Sequence, residues 1–266
     1  MIDIRRFPAA LLSALLTASL VSCGETGEPG GGSGGTLPET LTVEVLETLP
    51  HDTNAYTQGL EAAHGVLWES TGLYGHSTLR TIDPADGSII SVDQLPDSLF
   101  GEGLTVVGDT VYQLTWRSGL VLKWYAPDPQ LQIAGTIETE GWGIASVNSS
   151  TVVTSDGSST LSFRDLAGFD TIRTVEVNMD GVGLSQLNEL EYKDGHIYAN
   201  RYFSDYVYRI DPESGRVTAL IDATELRLML NTFSAGVLNG IAWDQDRQAF
   251  LLTGKNWPLI FVVDLI

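Results

Sequence analysis

From about residue 40 onward, short apolar runs rich in β-branched and aromatic residues are separated by turn signals. The signals recur roughly every 8 to 12 residues, a spacing that predicts strands rather than helices. No stretch sustains a 3.6-residue apolar period, although Ala223 to Leu230 fits one short helix. The strand pattern repeats as a larger unit. Unit starts at Gly59, Gly103, Gly143, Glu189 and Gly240 lie 44, 40, 46 and 51 residues apart. Each unit reads as a strand, a tight turn, a second strand, a third strand and a further turn.

The turns have a physical signature. His64-Gly65, Gly108-Asp109 and Asp194-Gly195 supply residues that tolerate positive φ between paired strands. Asp83 to Gly87 and Asp211 to Gly215 add Asp-Pro turns closed by glycine. A period of roughly 40 to 50 residues with four strands per unit marks a propeller. The fifth unit ends at Ile266 after three strands, and Leu41 to Thr48 is placed to supply its missing outer strand. The expectation is therefore an all-β, five-bladed β-propeller over residues 40–266. In such a ring the first strand of each blade lines a central channel, and side chains from several blades meet at its mouth.

The N-terminal part has a different character. Arg5 and Arg6 precede Pro8 to Val21, a stretch of Leu and Ala with no charge. This fits a signal peptide over residues 1–22, and it is shorter than the roughly 17–25 residues of a spanning helix. It ends Leu20-Val21-Ser22-Cys23, which resembles a bacterial lipobox. Cleavage there would leave Cys23 as a lipidated N-terminus. The alternative is an ordinary secretory signal with a stray cysteine. Residues 24–37, GETGEPGGGSGGTL, have the composition of a flexible tether. The segment from the lipidated Cys23 through residue 39 is thus a linker, and the expected location is the cell envelope, outside the cytoplasmic membrane.

Charge and cysteine content narrow the function classes. The chain carries 34 acidic and 14 basic residues, a net charge of −20. Such a surface repels nucleic acid and anionic lipid. Cys23 is the only cysteine, which excludes an intrachain disulfide and a thiolate zinc site in the folded part. His51, His64, His76 and His196 are scattered and read as surface or loop residues, so no metal or cofactor site is expected. A monomer is the default.

The unit starts carry unusual polar tags. They read AYTQGLE (55–61), LWESTGLYG (67–75), FGEGL (100–104), QLTW (113–116), EGWGI (140–144), LNELEY (187–192), LNGIAWD (238–244) and TGKNWP (253–258). In this order and at this spacing they resemble the plant- and bacterial-type glutaminyl cyclases, the glutamine cyclotransferase family, over about residues 50–262. The resemblance implies a five-bladed propeller that converts an N-terminal glutamine of a peptide or protein to pyroglutamate, releases ammonia and uses no metal.

Site residues follow from the same match. Glu102, flanked by Gly101 and Gly103, falls at the family's catalytic acidic position; otherwise it would accept hydrogen bonds from a neighbouring blade. Lys255 and Asn188 are candidates to polarise the amide carbonyl, with a surface charge and a turn cap as the plainer alternatives. Gln58 matches a position near the substrate amine, or it makes an inter-blade hydrogen bond. Trp116 and Trp142 match pocket aromatics, whereas Trp68, Trp124 and Trp243 read as core. The chain departs from the family at Ala199-Asn200-Arg201-Tyr202, where Tyr202 replaces an expected tryptophan. Glu61, Glu69 and Glu189 are expected to add negative charge near the mouth and raise the Glu102 pKa. Two other functions compete: a membrane-tethered propeller that binds a ligand or protein partner without catalysis, and a lactonase-like hydrolase with a channel metal held by Glu61, Glu102, Asn188 and Asn239.

Overall fold

The computed structural model describes residues 37–125 and 128–266, with the side chains of 128 and 129 excepted. The proposed signal peptide and Cys23, and the tether up to residue 36, lie outside the described residues. Nearly all of the described chain is strand and turn. β1 (Glu39–Pro50) is followed by four-stranded meanders in which consecutive strands pair antiparallel. The first is β2 (Thr57–Ala63), β3 (Val66–Thr71), β4 (Thr78–Ile82) and β5 (Ile89–Gln94). The second is β6 (Gly101–Val107), β7 (Thr110–Thr115), β8 (Leu120–Tyr125) and β9 (Asp128–Thr136). The third is β10 (Ile144–Asn148), β11 (Thr151–Thr154), β12 (Thr160–Asp165) and β13 (Thr171–Glu176).

A small hairpin, β14 (Asn178–Met179) and β15 (Val182–Gly183), precedes the next set. That set is β16 (Leu187–Lys193), β17 (His196–Arg201), β18 (Tyr206–Ile210) and β19 (Val217–Asp222). The expected helix follows as α1 (Thr224–Met229). The last strands are β20 (Leu238–Asp244), β21 (Ala249–Gly254) and β22 (Leu259–Leu265).

β1 completes this last set. Val43 to Pro50 pairs antiparallel with β22, as the unfinished fifth unit requires. The strand is longer than expected, and Glu39 to Thr42 also runs parallel to β19. The last two sets are therefore joined into one eight-stranded sheet. The predicted turns form as expected. His64 and Gly65 both hold positive φ, as do Asp194 and Gly195, and Gly87 N–H and Gly215 N–H close the Asp-Pro turns onto Asp83 and Asp211 carbonyls.

The first strands β2, β6, β10, β16 and β20 touch in that order, and β20 returns to β2. Apolar clusters lie between successive sets: Trp68, Leu104 and Trp124 between the first and second, Leu60, Leu67 and Leu251 between the last and first. The inner strands approach so closely that some positions admit no side chain. A Cβ on Gly103 would sit 2.7 Å from Gly143 Cα, and one on Gly143 would sit 2.0 Å from the Asn188 carbonyl oxygen. Glycine at the unit starts is a packing requirement of the narrow centre.

Candidate active site

The starts of the inner strands converge on a cavity of about 260 Å³. Its floor is polar and buried: Gln58 from β2, Glu102 from β6, Asn188 from β16 and Lys255 from the turn after β21. Its walls are half-buried rings, among them Tyr56, Phe100, Trp116, Trp142 and Tyr202. All seven catalytic and substrate-binding residues expected from the sequence line this one cavity.

Glu102 is held from one side. Gln58 Nε2 donates to Glu102 Oε1 at 2.9 Å, and Gln58 Oε1 accepts from Asn239 Nδ2 at 3.3 Å. Gln58 therefore makes the inter-unit hydrogen bond and lines the pocket as well. Among the described residues, Glu102 Oε2 is buried without a hydrogen-bond partner, as is Asn188 Oδ1. Unpaired buried acceptors are costly, and they occur where a ligand supplies the partner. Burial pushes the Glu102 carboxyl well above the usual carboxylate range; the Lys255 ammonium pulls it back, and the Glu140 carboxylate adds to the rise. Burial lowers Lys255 to about 8, against the pull of Glu102. Lys255 Nζ lies 4.7 Å from the Tyr56 ring centroid and 5.0 Å from that of Tyr202. Aromatic faces thus accommodate the cation at its buried position.

The two pocket tryptophans share one anchor. Trp116 Nε1 donates to Glu140 Oε2 at 2.8 Å, and Trp142 Nε1 donates to the same oxygen at 3.1 Å. Arg117 packs over the Trp116 ring at 3.9 Å and donates to Glu140 Oε1 at 3.2 Å. Tyr202 meets Trp142 edge-on, with centroids 6.1 Å apart, so the tyrosine keeps an aromatic wall where a tryptophan was expected. Glu140, Tyr56 and Phe100 stand inside the quoted tags, yet the sequence assigned them no role. Their signal was position in a tag, and each also meets a partner distant in sequence: Trp116 for Glu140, Lys255 for Tyr56 and Tyr74 for Phe100.

Three acidic residues are not where the sequence suggested. Glu61, Glu69 and Glu189 do not line the cavity. Glu69 is fully buried and accepts hydrogen bonds from Thr57 Oγ1 at 2.7 Å and from His51 Nε2 at 2.9 Å. His51 is itself buried rather than on a loop surface, because its Nδ1 also meets the Trp257 carbonyl at 2.8 Å. Glu189 accepts the Leu60 and Ile241 N–H groups at 3.2 and 2.8 Å, which ties three inner strands together. The carboxylate that raises Glu102 is Glu140. The oxygen donors of the metal alternative are also divided: Glu102 and Asn188 line the cavity, and Glu61 and Asn239 do not.

Inside a ring of contacting inner strands sits a pocket whose floor holds a buried carboxyl and a buried cation, an arrangement suited to acid–base chemistry. The chain belongs to the glutamine cyclotransferase family, whose sequence model matches residues 12–265. It is 33% identical to a glutaminyl-peptide cyclotransferase of Arabidopsis thaliana, over 97% of this chain and 82% of that one. It is also similar to the crystal structure of a Myxococcus xanthus glutaminyl cyclase: TM-score 0.79, 37% identity, 86% of this chain and 98% of that chain. A Bacteroides thetaiotaomicron protein of unknown function shares the fold alone, at TM-score 0.53 and 11% identity, over 84% of this chain and 76% of that one.

Proposed function

We propose that the cavity carries out glutaminyl-peptide cyclotransfer: an N-terminal glutamine closes to pyroglutamate and ammonia leaves. The observation that carries this proposal is the buried Glu102 Oε2, without a hydrogen-bond partner among the described residues, in a pocket whose floor also holds Lys255. The α-amine nitrogen attacks the side-chain amide carbon, a new C–N bond forms, and the old C–N bond breaks. Glu102 takes the proton from the amine and returns it to the departing nitrogen. An α-amine has a pKa of about 7.7 to 8.0. Burial raises the proton affinity of the Glu102 carboxyl, which makes it a stronger acceptor for that proton.

Lys255 faces the charge that develops on the amide oxygen. A fixed cation in a dry site stabilises an oxyanion without reorganising water. Asn188 offers its amide donor to the same oxygen and its unpaired Oδ1 to a substrate N–H. Gln58 orients Glu102. Trp116, Trp142 and Tyr202 flank the glutamine side chain and exclude bulk water. No metal takes part in this scheme, and the partner is a peptide or protein with an N-terminal glutamine.

The fold is read as a five-bladed propeller. The ring of contacts among the five first strands supports it, as does the completion of the last set by β1. The chain is further proposed to act as a monomeric lipoprotein at the cell envelope, with residues 1–22 as its signal and Cys23 as its lipid anchor. That proposal rests on the charge pattern and the cysteine position alone.

Ammonia release from a glutamine-led peptide, with EDTA present, tests the chemistry. The parent is expected to release ammonia, and Glu102→Gln to lose roughly 10² to 10⁴-fold in kcat. A well-folded parent that releases none from several glutamine-led peptides would leave the binding-only alternative standing.

A further inference from the structure

We propose that Leu73 and Phe203 form an apolar clamp at the pocket mouth that selects peptides with a large apolar second residue. The inference rests on the cyclotransferase reading and names the substrate class of that same site. The cavity, at about 260 Å³, lies below the roughly 300–1,000 Å³ of sites for drug-sized ligands. In that scheme the α-amine and the amide of the first residue both face the floor. The second residue must then leave through the mouth.

The mouth is unusually apolar. Leu73 lines the cavity and is 40% exposed, and neighbouring Tyr74 is 50% exposed. Phe203 is 73% exposed, and its ring packs against the wall residue Tyr202 at a 43° tilt with centroids 4.0 Å apart. Both clamp residues sit in backbone conformations that L residues rarely adopt, Leu73 at φ 90° and Phe203 at φ 62°. Hydrogen bonds hold the turn at Leu73. The Leu73 carbonyl accepts both the His76 N–H and the Ser77 hydroxyl at 2.9 Å, and Tyr74 packs edge-on against Phe100. Strain of this kind concentrates at ligand clamps. The charges near the mouth do not compete for the second residue, because Glu140 is already engaged by two indoles and Arg117.

The test compares kcat/KM for Gln-Phe-amide and Gln-Gly-amide in the parent and in Leu73→Gly/Phe203→Gly. Glycine relaxes both strained positions, so the variant is expected to melt no lower than the parent. The parent is expected to favour Gln-Phe-amide by about tenfold, most of it in KM, from apolar area buried at the rim. In the variant the ratio falls to within about twofold, whatever the absolute rates. A parent ratio near one, or a folded variant that keeps the parent's ratio, overturns the clamp while ammonia release still supports the cyclotransferase. Release from neither amide by the folded parent overturns both.

Discussion

At the scale of the residue, Lys255 sets an upper pH limit on the proposed reaction. Burial lowers its ammonium to about 8, so the positive charge is present below that pH and lost above it. The substrate α-amine moves the other way and gains reactivity as it deprotonates at about 7.7 to 8.0. The two opposed titrations predict a narrow bell in kcat/KM, with the falling limb near pH 8. In Lys255→Arg the guanidinium stays charged to beyond pH 12. The falling limb is then expected to disappear while the rising limb stays. A falling limb that persists unchanged in the arginine variant would assign it to another group. Glu102 and Lys255 were legible in the sequence because each stands in a distinctive tag. Glu140 was not, because its importance lies in accepting two indoles from different turns, a convergence only the folded ring creates. His51 and Glu69 were misread for the same reason: a buried ion pair leaves no periodic trace.

At the scale of the element, the inner strands are held at a separation that only glycine permits. Gly143 faces the carbonyl of Asn188 across a neighbouring strand, and a Cβ there would stand 2.0 Å from that oxygen. Backbone cannot swing aside as a flexible side chain can, so β16 must shift, and it carries Asn188 into the pocket floor. Gly143→Ala is expected to cost about 1–3 kcal/mol, the usual penalty of overpacking, and to lower activity as Asn188 moves. Gly183→Ala is the control. Its Cβ would meet only Ser159 at 3.7 Å or more, an ordinary contact. Urea melts that show both variants equally stable would refute the packing argument. Element scale was also where the sequence was most informative. Turn residues and the unit period located the strands, and the incomplete last unit pointed to β1 as its partner. The parallel contact of β1 with β19 and the two-residue strands of β14 and β15 escaped notice, since pairs that short carry no alternation to detect.

At the scale of the whole molecule, charge and anchor act in opposite senses. A net charge of −20 repels the anionic lipid of a bacterial membrane. Net charge thus gives no help to attachment, and in the proposed lipoprotein acyl chains at Cys23 would hold the protein without it. One chain binds a bilayer only marginally, so stable anchoring requires more than one. In the sequence, the Gly-rich stretch of residues 24–37 lies between the proposed anchor and the folded part. The pocket lies wholly within residues 40–266, so catalysis should not depend on the membrane. In a bacterial host the full chain is expected in the membrane fraction at low and high salt alike, because salt screens charges and leaves acyl burial intact. Detergent should release it. Cys23→Ser should move the protein to the soluble fraction with kcat/KM on a glutamine-led peptide unchanged. Membrane retention of the serine variant would show that something other than a lipid on Cys23 holds the chain. Release of the parent by salt would show that the attachment is electrostatic, against the sign of its charge.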